Sequence, residues 1–196
     1  TPAGLLPYGI ALKVGYAPNN SGQGSAANAA GATPTGADTV SEMMAYQVKA
    51  APIDGLGLGV SLVEASKAAT TAVRMGSTIS AYATYEIAGF ALGASLSQYQ
   101  PHSGVAPAVT DADDYKQANA SIAYLVNDNL SVSFERESSE RFLHNLSHEE
   151  ITSDAYQLAY TMGGMTLAVS HAKHNNAGYV TGTKTGQTLF AVTMAF

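Results

Sequence analysis

The sequence contains no cysteine, and charged residues make up only 12% of its 196 positions. Without cysteine the chain has no disulfide framework, no thiolate nucleophile and no cysteine ligands for a metal. Nucleic-acid binding requires a basic face, and the net charge of this chain is −6. We therefore expect no nucleic-acid partner. No apolar run reaches the length of about 18 residues that a transmembrane helix needs. Because a soluble domain usually carries about twice this share of charge, something other than charge must cover much of the surface.

Apolar and polar residues alternate with a period of two in ten segments, which predicts β-strands. The segments lie at about residues 8–16, 44–49, 56–62, 79–87, 90–97, 117–126, 130–135, 156–162, 165–170 and 189–196. Short connections that are rich in Gly and Asn, as tight hairpins require, alternate with long ones at about residues 17–39, 65–77, 100–114, 138–152 and 172–186. We therefore predict one all-β domain over residues 1–196, an up-and-down antiparallel meander.

The residue types on the two faces of these strands indicate what each face contacts. The polar set is small and mostly uncharged, whereas aromatic residues end the apolar set near the strand termini. Aromatic residues at both edges of an apolar band are typical of the two interfaces of a membrane. We therefore predict a transmembrane β-barrel of the bacterial outer membrane, with the apolar face in lipid. A soluble β-sandwich or lipocalin-like barrel, in which the tyrosines anchor a dry core, is the alternative.

Two stretches and the last strand resemble a known family. Residues 126–134 (VNDNLSVSF), residues 156–164 (YQLAYTMGG) and a final strand that ends at Phe196 resemble the C-terminal part of alphaproteobacterial general-diffusion porins. The resemblance covers about residues 115–196, and residues 1–114 share only its hairpin rhythm. The terminal Phe196 also resembles the signal that outer-membrane barrels present for assembly.

The resemblance implies a sixteen-stranded, homotrimeric barrel in contact with outer-membrane lipid and lipopolysaccharide. Its function would be the passive diffusion of small hydrophilic solutes, with no cofactor and no catalysis. Because the sequence shows only ten strands, the chain is either a C-terminal piece of a full porin, which we favour slightly, or a complete ten-stranded barrel.

The polar faces of the strands supply the expected wall of a pore. The predicted pore-lining residues are Lys13, Gln47, Lys49, Tyr82, Glu86, Tyr99, Gln117, Glu135 and Glu137. Lys116 is a further candidate, and because Lys116 and Glu137 lie near the ends of their segments, the sequence does not determine the facing of either. Tyr82 and Tyr99 could narrow the path or stack on a sugar ring. The net negative charge of the chain predicts a channel with weak preference for cations or with little ion selectivity.

Other groups of residues have the composition of chemical sites but lie in predicted loops. His144 and His148 are four residues apart, and Asp111, Asp113 and Asp114 are clustered, yet neither set has the spacing of a known metal motif. We expect solvated surface loops and no metal site. The alternative function is a complete ten-stranded barrel that acts through these loops, as a surface protease or as an adhesin or receptor.

Overall fold

The computed structural model describes residues 6–18, 40–67, 72–74, 76–101, 103–104, 108, 111–144 and 147–194. The strands are β1 (Ala11–Pro18), β2 (Val40–Ala50), β3 (Leu56–Lys67), β4 (Ala72–Arg74), β5 (Ser77–Ile87), β6 (Phe90–Gln100), β7 (Ser103–Gly104), β8 (Ala112–Asn127), β9 (Leu130–Leu143), β10 (His148–Met162), β11 (Met165–Asn175) and β12 (Lys184–Met194). Short 3-10 turns at Pro7–Gly9 and Ala177–Tyr179 precede β1 and β12. Across these described ranges, no helix is long and apolar enough to span a membrane.

Ten of the strands form one antiparallel sheet in the order β1-β2-β3-β5-β6-β8-β9-β10-β11-β12. Strands β4 and β7 pair separately as a small ribbon. Apart from β4 and β7, neighbours in the sheet are therefore also neighbours along the chain, which confirms the predicted up-and-down meander. Strands β1 and β12 form the two edges of the sheet, and among the described residues no pairing joins them.

The β2–β3, β5–β6, β8–β9 and β10–β11 connections, which were predicted to be short, lie at one end of the sheet, which we call the turn end. Ala88 and Gly89 both have positive φ angles, 48° and 82°, as two-residue hairpin turns with the twist of the strands require. In the β8–β9 turn, the side-chain oxygen of Asn127 accepts hydrogen bonds from the backbone N–H groups of Asn129 (2.9 Å) and Leu130 (3.0 Å). The opposite end, which carries the remaining connections, including the four-residue β9–β10 connection at 144–147, is the loop end.

The register gives the sheet one apolar and one polar face. Val48 of β2 lies opposite Leu12 of β1 and Val60 of β3. Nearer the turn end, a second apolar row runs from Leu56 through Tyr85, Leu92, Ile122, Phe134 and Tyr156. The residues between these positions point to the other side, because successive side chains of a strand alternate. We call the two sides the apolar face and the polar face.

The apolar face is exposed and not packed into a dry core. Val60 is 50% exposed, Leu96 64% and Phe190 78%. Within the described ranges, no large side chain is fully buried. A soluble sandwich or lipocalin-like barrel would enclose this face, so the dry-core alternative does not describe the sheet.

Aromatic pairs lie on the apolar face toward the turn end. The rings of Phe90 and Tyr124 stack with centroids 4.4 Å apart, and those of Phe134 and Tyr156 are 5.0 Å apart. Aromatic pairs across neighbouring strands stabilise the sheet beyond the area that they bury. They also give this part of the face the amphipathic rings that are enriched where a membrane meets water.

Toward the loop end, the apolar face becomes polar on β9, β10 and β11. Arg136 pairs with Asp154 at 3.6 Å, and Ser138 donates a 2.6 Å hydrogen bond to Glu150. We call this part of the face the polar collar. Because charged side chains are costly at the lipid-facing surface of a barrel, the collar marks where the apolar band ends.

The strands at the loop end are longer than the alternation predicts. Residues 138–152 were expected to be a loop, yet β9 continues to Leu143 and β10 begins at His148. Likewise, the expected loop at residues 172–186 is reduced to 176–183 by β11 and β12. The physical reason is that both faces are polar there, as at Ser138 and Ser139, so paired backbone produces no period-two signal.

Replacement of Leu92 by Arg on the apolar face is expected to destabilise the protein by about 2–4 kcal/mol, the cost of placing a guanidinium in the lipid-facing band. The matched variant Ser95→Arg, on the polar face of the same strand, should change stability far less. The measurement is urea unfolding of the refolded protein in phospholipid vesicles. Equal destabilisation by both variants would contradict the assignment of the faces.

Candidate functional site

Apart from the further candidate Lys116, the polar face carries the side chains that were predicted to line a pore. One row of paired residues crosses the sheet from Lys49 through Gly59, Tyr82, Ser95 and Asn119 to Glu137. Neighbouring rows on the same face contain the remaining predicted residues, Lys13, Gln47, Glu86, Tyr99, Gln117 and Glu135. The register therefore brings these residues to one surface.

Small neutral side chains on this face hydrogen-bond across the strands. The hydroxyls of Ser61 and Ser80 are 2.6 Å apart, and Ser97 donates to the side-chain oxygen of Gln117 at 3.1 Å. Asn119 likewise donates to Glu135. Such bonds hold polar groups against the backbone of the wall, so the face is hydrophilic without long projecting side chains.

Tyr82 lies flat against the wall because its neighbour has no side chain. A Cβ atom on Gly59 would lie 2.6 Å from the Tyr82 ring carbon Cζ and 2.9 Å from its hydroxyl oxygen. The ring therefore occupies the space over Gly59, the usual way in which an aromatic residue covers a glycine in a neighbouring strand. Tyr82 is on the predicted face, but its ring covers the sheet instead of extending away from it.

The charges of the polar face are separated along the sheet. Lys13 and Lys49 lie on β1 and β2, whereas Glu86 lies on β5 and Glu135 and Glu137 lie on β9. Acidic residues therefore dominate the β5–β9 part of the face, and basic residues dominate its β1–β2 edge.

A cluster of tyrosines lies at the loop end of the polar face. The rings of Tyr99 and Tyr115 stack at 5.9 Å, and Tyr179 meets Tyr115 edge-on at 6.1 Å. Tyr179 belongs to the connection between β11 and β12, and its hydroxyl lies 2.7 Å from the Ser139 hydroxyl of β9. The connection at residues 176–183 thus reaches across the sheet to the polar face of β8 and β9.

Arg141 completes this cluster. Its guanidinium carbon lies 4.6 Å from the centre of the Tyr179 ring, and the guanidinium also forms an ion pair with Glu149. Its Nε atom is buried and has no hydrogen-bond partner among the described residues. The site therefore combines stacked aromatic rings, a neutralised cation and one unsatisfied donor.

The backbone of the 176–183 connection is unusual in that residues other than glycine adopt left-handed conformations. Asn176 has φ 55° and Tyr179 φ 59°. For a bulky residue such a conformation costs about 1–3 kcal/mol, so it persists only where surrounding contacts maintain it. Here Asn176 donates to the Glu150 carbonyl at 3.0 Å and accepts from the Gly182 N–H at 2.9 Å.

Lys116, whose facing the sequence left open, lies on the other side of the sheet. It pairs in register with Gln98 and Glu140 at the loop end of the apolar face, and its ammonium lies 4.6 Å from the centre of the Phe142 ring. Lys116 is therefore not a residue of the polar face.

The histidines and aspartates of the loop end form pairs and not a larger site. His144 contacts Asp113 through Nδ1 at 3.0 Å, and Asp114 accepts from Gln98 at 2.6 Å. His148 instead stacks on Phe142 with ring centroids 5.8 Å apart. In the described part of the chain, no three His, Asp or Glu residues converge as metal ligands would.

Sequence reasoning missed Tyr115, Arg141 and Tyr179. Arg141 and Tyr115 lie in strand extensions that carry no alternation, and Tyr179 lies in a connection that no sequence pattern places on the polar face. The predicted assembly residue Phe196 lies outside the described residues.

Comparisons with known proteins identify the fold and not the family. No protein-family model matches the chain, and no curated protein matches it. The sheet is similar to the solved structure of OmpT, an outer membrane protein of Vibrio cholerae folded in vitro, with a TM-score of 0.56 and 10% sequence identity. The match covers 77% of this chain and 52% of that chain, so the chain spans about half its length. The likeness shows an outer-membrane β-barrel fold.

Replacement of Gly59 by Ala is expected to displace the Tyr82 ring from the wall and to destabilise the protein by about 1 kcal/mol, the size of a cross-strand pair. Gly15→Ala is the control, because a Cβ there meets only the Ala45 methyl at an ordinary 3.6 Å. Urea unfolding in vesicles measures both. If Gly59→Ala were no less stable than Gly15→Ala, the packing of Tyr82 over Gly59 would be disproved.

Proposed function

We propose that the protein is a porin, which forms a water-filled channel for the passive diffusion of small hydrophilic solutes and ions across the bacterial outer membrane. The observation that carries this proposal is the contrast between the two faces of one continuous sheet. One face exposes large apolar residues such as Leu96 and Phe190, and the other exposes small neutral polar groups with a few charges.

A sheet with these two faces can form the wall of a water-filled pore. In lipid, backbone N–H and C=O groups must be paired within the protein, which a closed sheet achieves. If the apolar face contacts acyl chains, closure encloses the polar face, and a surface of serine, threonine, asparagine and glutamine then retains water. Such a wall binds no solute tightly, which is what rapid diffusion requires.

Ring closure requires partners for the outer edges of β1 and β12. The resemblance to general-diffusion porins supports a sixteen-stranded ring in which these ten strands are one part of the wall, and a homotrimer in contact with lipid and lipopolysaccharide. The match to about half of a longer outer membrane protein is consistent with that larger ring.

The proposed function needs neither a cofactor nor a catalytic residue. A surface protease would instead need the acidic and histidine side chains of the loop end to converge on one substrate. In the described residues, His144 is paired with Asp113, whereas Asp114 is bonded to Gln98. A His–Asp pair alone does not make a protease site, so the channel is tested first and peptide cleavage is the alternative outcome of that test.

The direct test is reconstitution of the full chain into planar lipid bilayers. We expect stepwise openings with a linear current–voltage relation and a conductance that rises with the conductivity of the salt solution, as in a water-filled pore. Purified, folded protein that never conducts, or that cleaves peptide substrates, would overturn the proposal.

Charge on the polar face is expected to give weak cation preference, which the double variant Glu135→Gln/Glu137→Gln should move toward equal permeability for cations and anions. Glu64→Gln is the control, because Glu64 pairs in register with Ser77 on the opposite face. The measurement is the reversal potential in a KCl gradient. Strong anion selectivity of the unmodified protein would contradict the expectation.

A further inference from the structure

We propose that the β11–β12 connection, residues 176–183, is a constriction element of the channel and that Tyr179 is the latch that holds it across the polar face. This inference rests on the proposed function, because it assigns the polar face to the lumen. The connection is the segment whose described contacts carry it from the edge of the sheet to the interior of that face.

The latch is built from contacts that converge on one side chain. Tyr179 shares a 2.7 Å hydrogen bond with Ser139, lies beneath the Arg141 guanidinium at 4.6 Å and meets the Tyr115 ring at 6.1 Å. Ser139 is only 8% exposed, and in the described part of the chain it is the one buried polar residue. The Tyr179 side chain therefore covers a polar position that would otherwise face the lumen.

The rest of the connection is tethered so that its backbone follows Tyr179. Asn176 anchors it to the Glu150 carbonyl at 3.0 Å and binds the Gly182 N–H at 2.9 Å. The N–H of Ala177 donates to the Thr183 carbonyl at 3.1 Å, which closes the connection into a compact loop. A compact loop placed over the polar face occupies space that solutes would otherwise cross, so it narrows the passage at the loop end.

Two features of the docked loop oppose docking, and they favour a reversible latch over a permanent plug. Tyr179 adopts a left-handed backbone with φ 59°, and the Nε atom of Arg141 is buried without a partner among the described residues. Release of the loop would relax the Tyr179 backbone and would expose the Arg141 Nε atom to water, which can accept its hydrogen bond. The same release would widen the passage and present the Arg141–Glu149 pair to solutes.

The decisive variant is Tyr179→Ala. Alanine retains a Cβ atom and therefore the same backbone strain at this position, so the variant removes only the contacts of the ring. Loss of one hydrogen bond and one cation–π contact should weaken docking about 10- to 100-fold. We expect a larger single-channel conductance and faster liposome swelling with large sugars relative to small ones, because the passage is wider.

Further variants identify the source of the effect. Val180→Ala is the matched control, because Val180 lies in the same connection and is 58% exposed, and it should leave conductance unchanged. Tyr179→Phe retains the ring over Arg141 but loses the hydroxyl, so its conductance should lie between those of the unmodified protein and Tyr179→Ala.

Hydrogen exchange tests docking without reference to transport. The N–H groups of Ala177, Gly182 and Thr183 are bonded within the connection, and they should exchange faster in Tyr179→Ala than in Val180→Ala. If the unmodified protein conducts but Tyr179→Ala changes neither conductance nor exchange, the latch is disproved and the porin proposal stands. If the protein does not conduct, both the porin proposal and the constriction are disproved. Hydrogen exchange then still shows whether Tyr179 holds the loop on the sheet.

Discussion

The pairing of backbone polar groups is the constraint on which this structure depends. A sheet with one face in hydrocarbon has no water to satisfy its N–H and C=O groups, and each unpaired group would cost several kcal/mol. The inner strands of the ten-stranded sheet meet this constraint through neighbours on both sides. The tight turns at Ala88–Gly89 and Asn127 follow from it, because only hairpins with matched twist keep successive strands in continuous register.

The same constraint separates what could be predicted from the sequence from what could not. Where one face is apolar and the other polar, as around Leu92 and Gly93, a period of two identifies both the strand and its facing, and the predicted polar-face residues lie on one surface. Where both faces are polar, as at residues 136–141, the backbone pairs equally well but the alternation disappears, so the strands were predicted too short. Arg141 and Tyr115 were missed for this reason.

Tertiary placement was inaccessible for a different reason. The position of Tyr82 over Gly59 depends on the register between β3 and β5, which is fixed by pairing along the whole strand and not by either residue. The position of Tyr179 depends on left-handed backbone at Asn176 and Tyr179, a conformation that few residues other than glycine adopt and that sequence patterns do not predict. Both placements depend on contacts between residues distant in the chain.

The extended strands at the loop end give the protein a rim of uneven height. On β9 the apolar row is interrupted after Phe134 by Arg136 and Ser138 of the polar collar, and the strand continues to Leu143, which corresponds to roughly 20 Å of paired sheet beyond the apolar band at the usual tilt of barrel strands. On β6 the corresponding row is apolar as far as Leu96, and the strand ends only four residues later at Gln100. Among the described strands, the paired sheet therefore extends farther beyond the apolar band on β9 than on β6, so the loop-end edge of the sheet is a stepped surface and not a level one.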